Sequence, residues 1–89
     1  MDLKDLRKEI DEIDRELVHT FCKRMQIAAQ IADYKKEHGL PVSHPGREQE
    51  VLEKVTAMAG EELQEYVQNL YGELFRLSKD YQTRRSEEK

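Results

Sequence analysis

Two cations stand where the first helical run should present apolar groups. Leu6, Ile10, Ile13, Leu17 and Phe21 recur at spacings of three and four, the stripe of a helix that packs against other helices. Continued by seven from Leu17, that stripe reaches Arg24. Lys35 follows eleven residues later. Eleven residues are three turns to within about 20°, so the two cations share a face with their Cα atoms roughly 16 Å apart. Long side chains close most of such a gap onto a bound anion. The plainer alternative is that both snorkel to solvent, but a cation aimed at a core is costly unless it is paired.

Other polar residues join them. Arg7 lies one turn into the first helix, beside Leu6, where an ordinary surface pair with Asp11 would account for it. Arg47 and Glu48 fall in the first turn of a second helix. An Arg there opposes the helix dipole, so it is either indifferent surface or placed to reach something. Ser78 and Gln82, four apart, share a face adjoining the stripe of a third helix; solvation alone would explain each. His19, His38 and His44 lack metal-ligand spacing and read as non-ligands. A Gly-rich phosphate loop, a nucleophile elbow and a Cys/His pair are all missing, so covalent chemistry is not expected.

These residues need three helices to position them. The first spans about residues 5–37, with Asp2 or Asp5 as N-cap and Gly39 and Pro41 ending it. Residues 38–45 are a loop. A second helix covers about 46–59, with Val51, Leu52, Val55 and Met58 inward. Gly60 breaks the chain, and a third helix over about 61–85 carries Leu63, Tyr66, Val67, Leu70, Tyr71, Leu74, Leu77 and Tyr81. Gly72, in its middle, weakens it or permits a close approach. No strand is expected; the class is all-α, one domain over 1–89. A first helix of roughly 50 Å does not fit within a compact chain of this length, whose radius of gyration should be about 12 Å. It is therefore expected to lie along a second copy of itself.

Composition agrees. The 89 residues are 37% apolar and 38% charged, with no Trp, a thin core for a monomer. The net charge of −4 excludes a basic nucleic-acid face, so the cations act locally. Cys22 is the single cysteine; it fits a reduced compartment and reads as a small packed hydrophobe. With no apolar span or signal segment recognisable, a cytoplasmic protein with no membrane or nucleic-acid partner is expected.

The stretches LRKEID at 6–11, KRMQIAAQIADYKK at 23–36, PVSHPGRE at 41–48 and RLSKDYQ at 76–82 resemble the all-helical, AroQ-class chorismate mutases. The likeness runs over nearly the whole chain, with seven polar residues in register on three helices. It implies an intertwined homodimer of three-helix subunits (long, short and medium) with two shared active sites. It implies the Claisen rearrangement of chorismate to prephenate, in phenylalanine and tyrosine biosynthesis. That reaction is pericyclic and requires no cofactor, metal or covalent intermediate.

By this resemblance Arg7 of the partner subunit, Arg24 and Arg47 neutralise the carboxylates of the dianionic substrate. Ser78 hydrogen-bonds a carboxylate, Lys35 and Gln82 flank the ether oxygen, and Glu48 accepts from the ring hydroxyl. Lys35, Gln82, Arg24 and Glu48 carry the catalysis. Geometry agrees about Arg7: seventeen residues from Arg24, it lies about 25 Å away along the helix and roughly 100° around it. The two cannot hold one small ligand unless they come from different chains. One departure is His44, at a loop position where the best-known members carry Asp. If that contact is made by a backbone N–H, His44 can replace it; if the carboxylate matters, turnover falls. Two alternatives share the fold: an isochorismate pyruvate lyase and a non-catalytic regulatory dimer. Glu48 beside Arg47, with Ser78 one turn before Gln82, favours the mutase over the lyase. Retention of all seven polar residues argues against a non-catalytic role.

Overall fold

A computed structural model describes residues 2–41 and 44–87. Helix α1 runs Leu3–Glu37, α2 Pro45–Met58 and α3 Gln64–Glu87. No strand occurs among the described residues. Asp2 caps α1, its Oδ1 accepting from the Asp5 N–H at 2.9 Å, so the helix starts slightly ahead of the sequence expectation. At its other end Gly39 takes φ +64°, the left-handed conformation that a side chain disfavours. This lets the Leu40 N–H reach the Lys35 carbonyl at 2.8 Å and the Gly39 N–H reach that of Lys36 at 3.4 Å, a Schellman closure. The turn that carries Lys35 is thereby anchored. Val42 and Ser43 of the loop lie outside the described residues. The third helix opens later than expected: Glu61–Leu63 form a 3₁₀ turn first, a common tightening at a helix start.

α3 is the element that packs against both others. It lies on α2 and on the C-terminal half of α1, where Met25 and Ala29 face Ser78 and Arg85. The N-terminal half of α1 projects beyond this arrangement. Every residue from Asp2 to Thr20 is exposed, and the molecule measures 54 × 29 × 15 Å. Its radius of gyration is 16.2 Å, against about 12 Å for a compact chain of this length.

The expected stripe is present but mostly uncovered. Leu6, Ile10, Ile13 and Leu17 are 44–59% exposed. On α3 the stripe splits: Val67, Tyr71, Leu74 and Leu77 turn partly inward, while Leu63, Tyr66 and Leu70 stay open. Met58 of α2, expected inside, is exposed, and so is Cys22, expected to be packed. A Cβ added at Gly72 would meet nothing within 4 Å, so no close approach occurs there in the subunit. Ala29 is the one buried apolar side chain among the described residues. Burial of that size does not offset the conformational entropy of ordering three helices.

Candidate active site

Where the three helices converge they enclose an open cleft of about 540 Å³. α1 contributes Arg24 and Lys35, α2 Arg47 and Glu48, and α3 Ser78 and Gln82. Ile27, Ile31, Val51 and Phe75 supply the apolar walls. Thus six of the seven residues singled out in the sequence line one cavity. The seventh, Arg7, does not. It lies on the projecting half of α1, in a shallow groove with Lys4, Lys8 and Asp11.

Arg24 is the best-supported cation. Its guanidinium lies 5.6 Å from the Tyr71 ring centre and 6.0 Å from that of Phe75, a cation–π cradle that holds it without neutralising it. Its Nη1 donates to Ser78 Oγ at 3.4 Å. Ser78, for which solvation is the plainer alternative in the sequence, is 7% exposed; its hydroxyl also contacts Met25 Sδ at 3.7 Å. Packed between Arg24 and Met25, Ser78 is held facing the cleft.

Arg47 behaves differently. Its Nη1 pairs with Glu50 Oε1 at 2.9 Å, with both side chains more than half exposed. Such a pair contributes little in solvent, so the guanidinium can exchange Glu50 for a ligand carboxylate at small cost. The backbone beneath it is firmly set. His44 is the N-cap of α2, its Nδ1 accepting from the Arg47 N–H at 2.8 Å, and Pro45 occupies the first turn, where a missing N–H costs nothing. His44 therefore does the capping that an Asp would do, and its ring also borders the cleft.

Sequence reasoning missed three neighbours of the site. Lys79 forms an ion pair with Glu48 across the α2–α3 seam, and it lines the cleft, as does Lys23. Glu48 and Lys79 are 31 residues apart, a separation that leaves no local trace in the sequence. Arg85 lies beside the cleft, in a small adjoining pocket that also takes in Gln82. Its Nη1 donates to the Ala29 carbonyl at 3.3 Å and to Asp33 Oδ1 at 3.4 Å, and its Nη2 to Asp33 Oδ2 at 3.5 Å. One turn before Arg85, Gln82 borders both the cleft and the small pocket beside Asp33. Removing this clasp with Arg85→Ala should cost about 1 kcal/mol of stability in a denaturant titration. It should also lower kcat more than it raises KM, because α3 loosens beside Gln82. Outside the cleft, a bidentate pair on α3 joins Arg76 to Glu73, Nε donating to Oε1 and Nη2 to Oε2. That hydrogen bonding from Arg76 lowers the Glu73 carboxyl below its usual range.

As a whole the cleft is cationic. Lys23, Arg24, Lys35, Arg47 and Lys79 surround a single carboxylate, Glu48, among its described lining residues. That balance suits a small dianion. No described helix is long and apolar enough to cross a membrane.

Comparison with known proteins agrees with this geometry. A family model described as chorismate mutase type II matches residues 6–83. The fold matches a chorismate mutase (form II) from Thermus thermophilus with a TM-score of 0.87 and 34% identity, covering 92% of this chain and 94% of that one. The T-protein of Haemophilus influenzae is 49% identical over 57% of this chain, though the matched stretch spans only 14% of the T-protein. A 4-amino-4-deoxychorismate mutase from Streptomyces venezuelae is 36% identical over 67% of this chain and 58% of its own length. A match through all three helices, with a fold shared almost end to end with a solved relative, places the chain in the chorismate mutase type II family.

Proposed function

We propose that the chain catalyses the rearrangement of chorismate to prephenate, as a homodimer in which each site is built by two subunits. The observation that carries this reading is the division of the seven polar residues. Six line one cleft, and Arg7 alone sits on the uncovered half of α1. An antiparallel second copy of α1 would cover that apolar stripe and bring its own Arg7 toward this cleft. The same pairing thus answers the thin core and the incomplete site. A cytoplasmic setting belongs to this reading.

In this reading the cleft works by position and charge. Arg24, Arg47 and the Arg7 of the partner subunit grip the two carboxylates, since a planar guanidinium binds carboxylate bidentately. Ser78 adds a donor to one of them. Held at both ends, the enolpyruvyl side chain stays folded over the ring, which is the entropic part of the barrier. As the C–O bond breaks, negative charge grows on the ether oxygen. Lys35 and Gln82 donate to it, each such donor supplying about 3–4 kcal/mol when preorganised. Glu48 accepts from the ring hydroxyl. Electrons move only within the substrate, so no nucleophile or proton transfer is needed.

The Streptomyces relative favours a second reading, in which the ring hydroxyl is replaced by an amine. Following chorismate absorbance together with prephenate formation tests the first. The 4-amino substrate and isochorismate, assayed in parallel, separate it from the amino-specific mutase and from a pyruvate lyase. Turnover of isochorismate to salicylate with chorismate untouched would overturn the proposal.

A further inference from the structure

We infer that Lys79 is a specificity-determining residue, selecting a substrate with a ring hydroxyl over one with a ring ammonium at the carbon facing Glu48. The inference rests on the chorismate reading above. Lys79 and Glu48 form an ion pair at the cleft wall, with side chains 46% and 27% exposed. Glu48 is the only carboxylate among the described lining residues, so it alone would attract a cation on the substrate ring.

The selection follows from donor and acceptor counting. A hydroxyl has one donor and two acceptor lone pairs. It can donate to a Glu48 oxygen while accepting from the Lys79 ammonium, which satisfies all three groups. A ring ammonium has three donors and no acceptor. It can bond to Glu48 but offers nothing to Lys79, and two cations then crowd one carboxylate in a partly enclosed site. Without Lys79 the preference reverses, because an ammonium adds a full charge–charge attraction to its hydrogen bond with the carboxylate, whereas a hydroxyl contributes the hydrogen bond alone. Lys79 thus discriminates by penalising the wrong substrate.

The test compares kcat/KM for chorismate and its 4-amino analogue in the wild type, Lys79→Met, Lys79→Gln and Lys79→Arg. The two neutral variants should shift the ratio at least about tenfold toward the amine, and Lys79→Arg should leave it within about threefold. pH supplies a readout that loss of packing would not move. In the wild type, kcat/KM for the amine should rise as the amine loses its proton and gains a lone pair for Lys79. In the neutral variants it should fall over the same range. An unchanged ratio in both neutral variants, with chorismate still turned over, overturns the role of Lys79 and leaves the mutase reading intact. A wild type inert toward chorismate overturns the mutase reading and the Lys79 role with it.

Discussion

Mixing two inactive variants should restore activity. Arg7→Ala and Arg24→Ala, each purified alone, are expected to lose at least about 100-fold in kcat/KM, because each leaves a substrate carboxylate without its bidentate partner. Unfolded together and refolded as a mixture, they should recover about one quarter of wild-type turnover. The fraction follows from symmetry. Random pairing makes about half of the dimers mixed. In a mixed dimer one cleft combines the intact Arg24 of one chain with the intact Arg7 of the other, while the second cleft lacks both. One working site in half of the dimers is about one quarter of all sites. A site built within one chain gives no recovery. Arg7→Ala with full activity would show that Arg7 takes no part. Sedimentation of the same samples reports whether the dimer itself survives, so loss of assembly is distinguished from loss of a binding group.

Structure supports this expectation through the contrast between the two halves of α1. Arg24 is held over Tyr71 and Phe75 against Ser78, all within one subunit. Arg7 lies amid exposed Leu3, Leu6 and Ile10, away from the cleft that the other six residues line. A helix with its cation at one end and its complementary cleft at the other is what a two-fold, antiparallel pairing would use.

Much of this is legible in the sequence because it depends on helical periodicity. The break in the α1 stripe at Arg24, the eleven-residue step to Lys35 and the four-residue step from Ser78 to Gln82 are local, and the helix geometry fixes their faces. What stays hidden depends on tertiary contact. Spacing alone leaves Ser78 explicable as a solvated residue, since nothing local reveals that Arg24 and Met25 enclose it. Lys79 gives no local signal, because its partner Glu48 lies on another helix. Arg85 falls at the very end of the expected third helix with no local sign of a partner, yet it clasps Asp33, 52 residues away. The capping role of His44 is within reach: it directly precedes Pro45 at the start of α2, and a ring nitrogen can accept as a carboxylate does. Helix α3 shows the converse limit. Its stripe is apolar as expected, but periodicity does not say which part faces the subunit's own helices and which, like Tyr66 and Leu70, remains open.

Gln82 gives the sharpest chemical test, since a single atom exchange alters its donor capacity. In the proposed arrangement the Gln82 amide donates to the ether oxygen, and an amide N–H donates at any pH. A Glu of the same shape donates only when protonated, and its ordinary pKa is about 4.3. Gln82→Glu should therefore be nearly inactive at about pH 7.5 and above, where a carboxylate would face the charge developing on the oxygen. The loss expected for one missing donor of this kind is about 10²–10³ in kcat. Activity should return as the pH falls and the carboxyl takes up its proton. The surroundings set where this happens. Lys35 and Arg24 favour the ionised form and push the return to lower pH, whereas the dianionic substrate and partial burial favour the neutral form and push it upward. With substrate bound, the second pair should prevail, so recovery is expected to show in kcat above about pH 4.3. The wild-type profile should be flat over the same interval, because Gln82 does not titrate. A flat profile in Gln82→Glu, with kcat near that of the wild type, would remove Gln82 from the ether oxygen. Gln82→Ala separates the remaining possibility: if it is as slow as Gln82→Glu at neutral pH but does not recover in acid, the lost element is the donor itself and not the fit of the side chain.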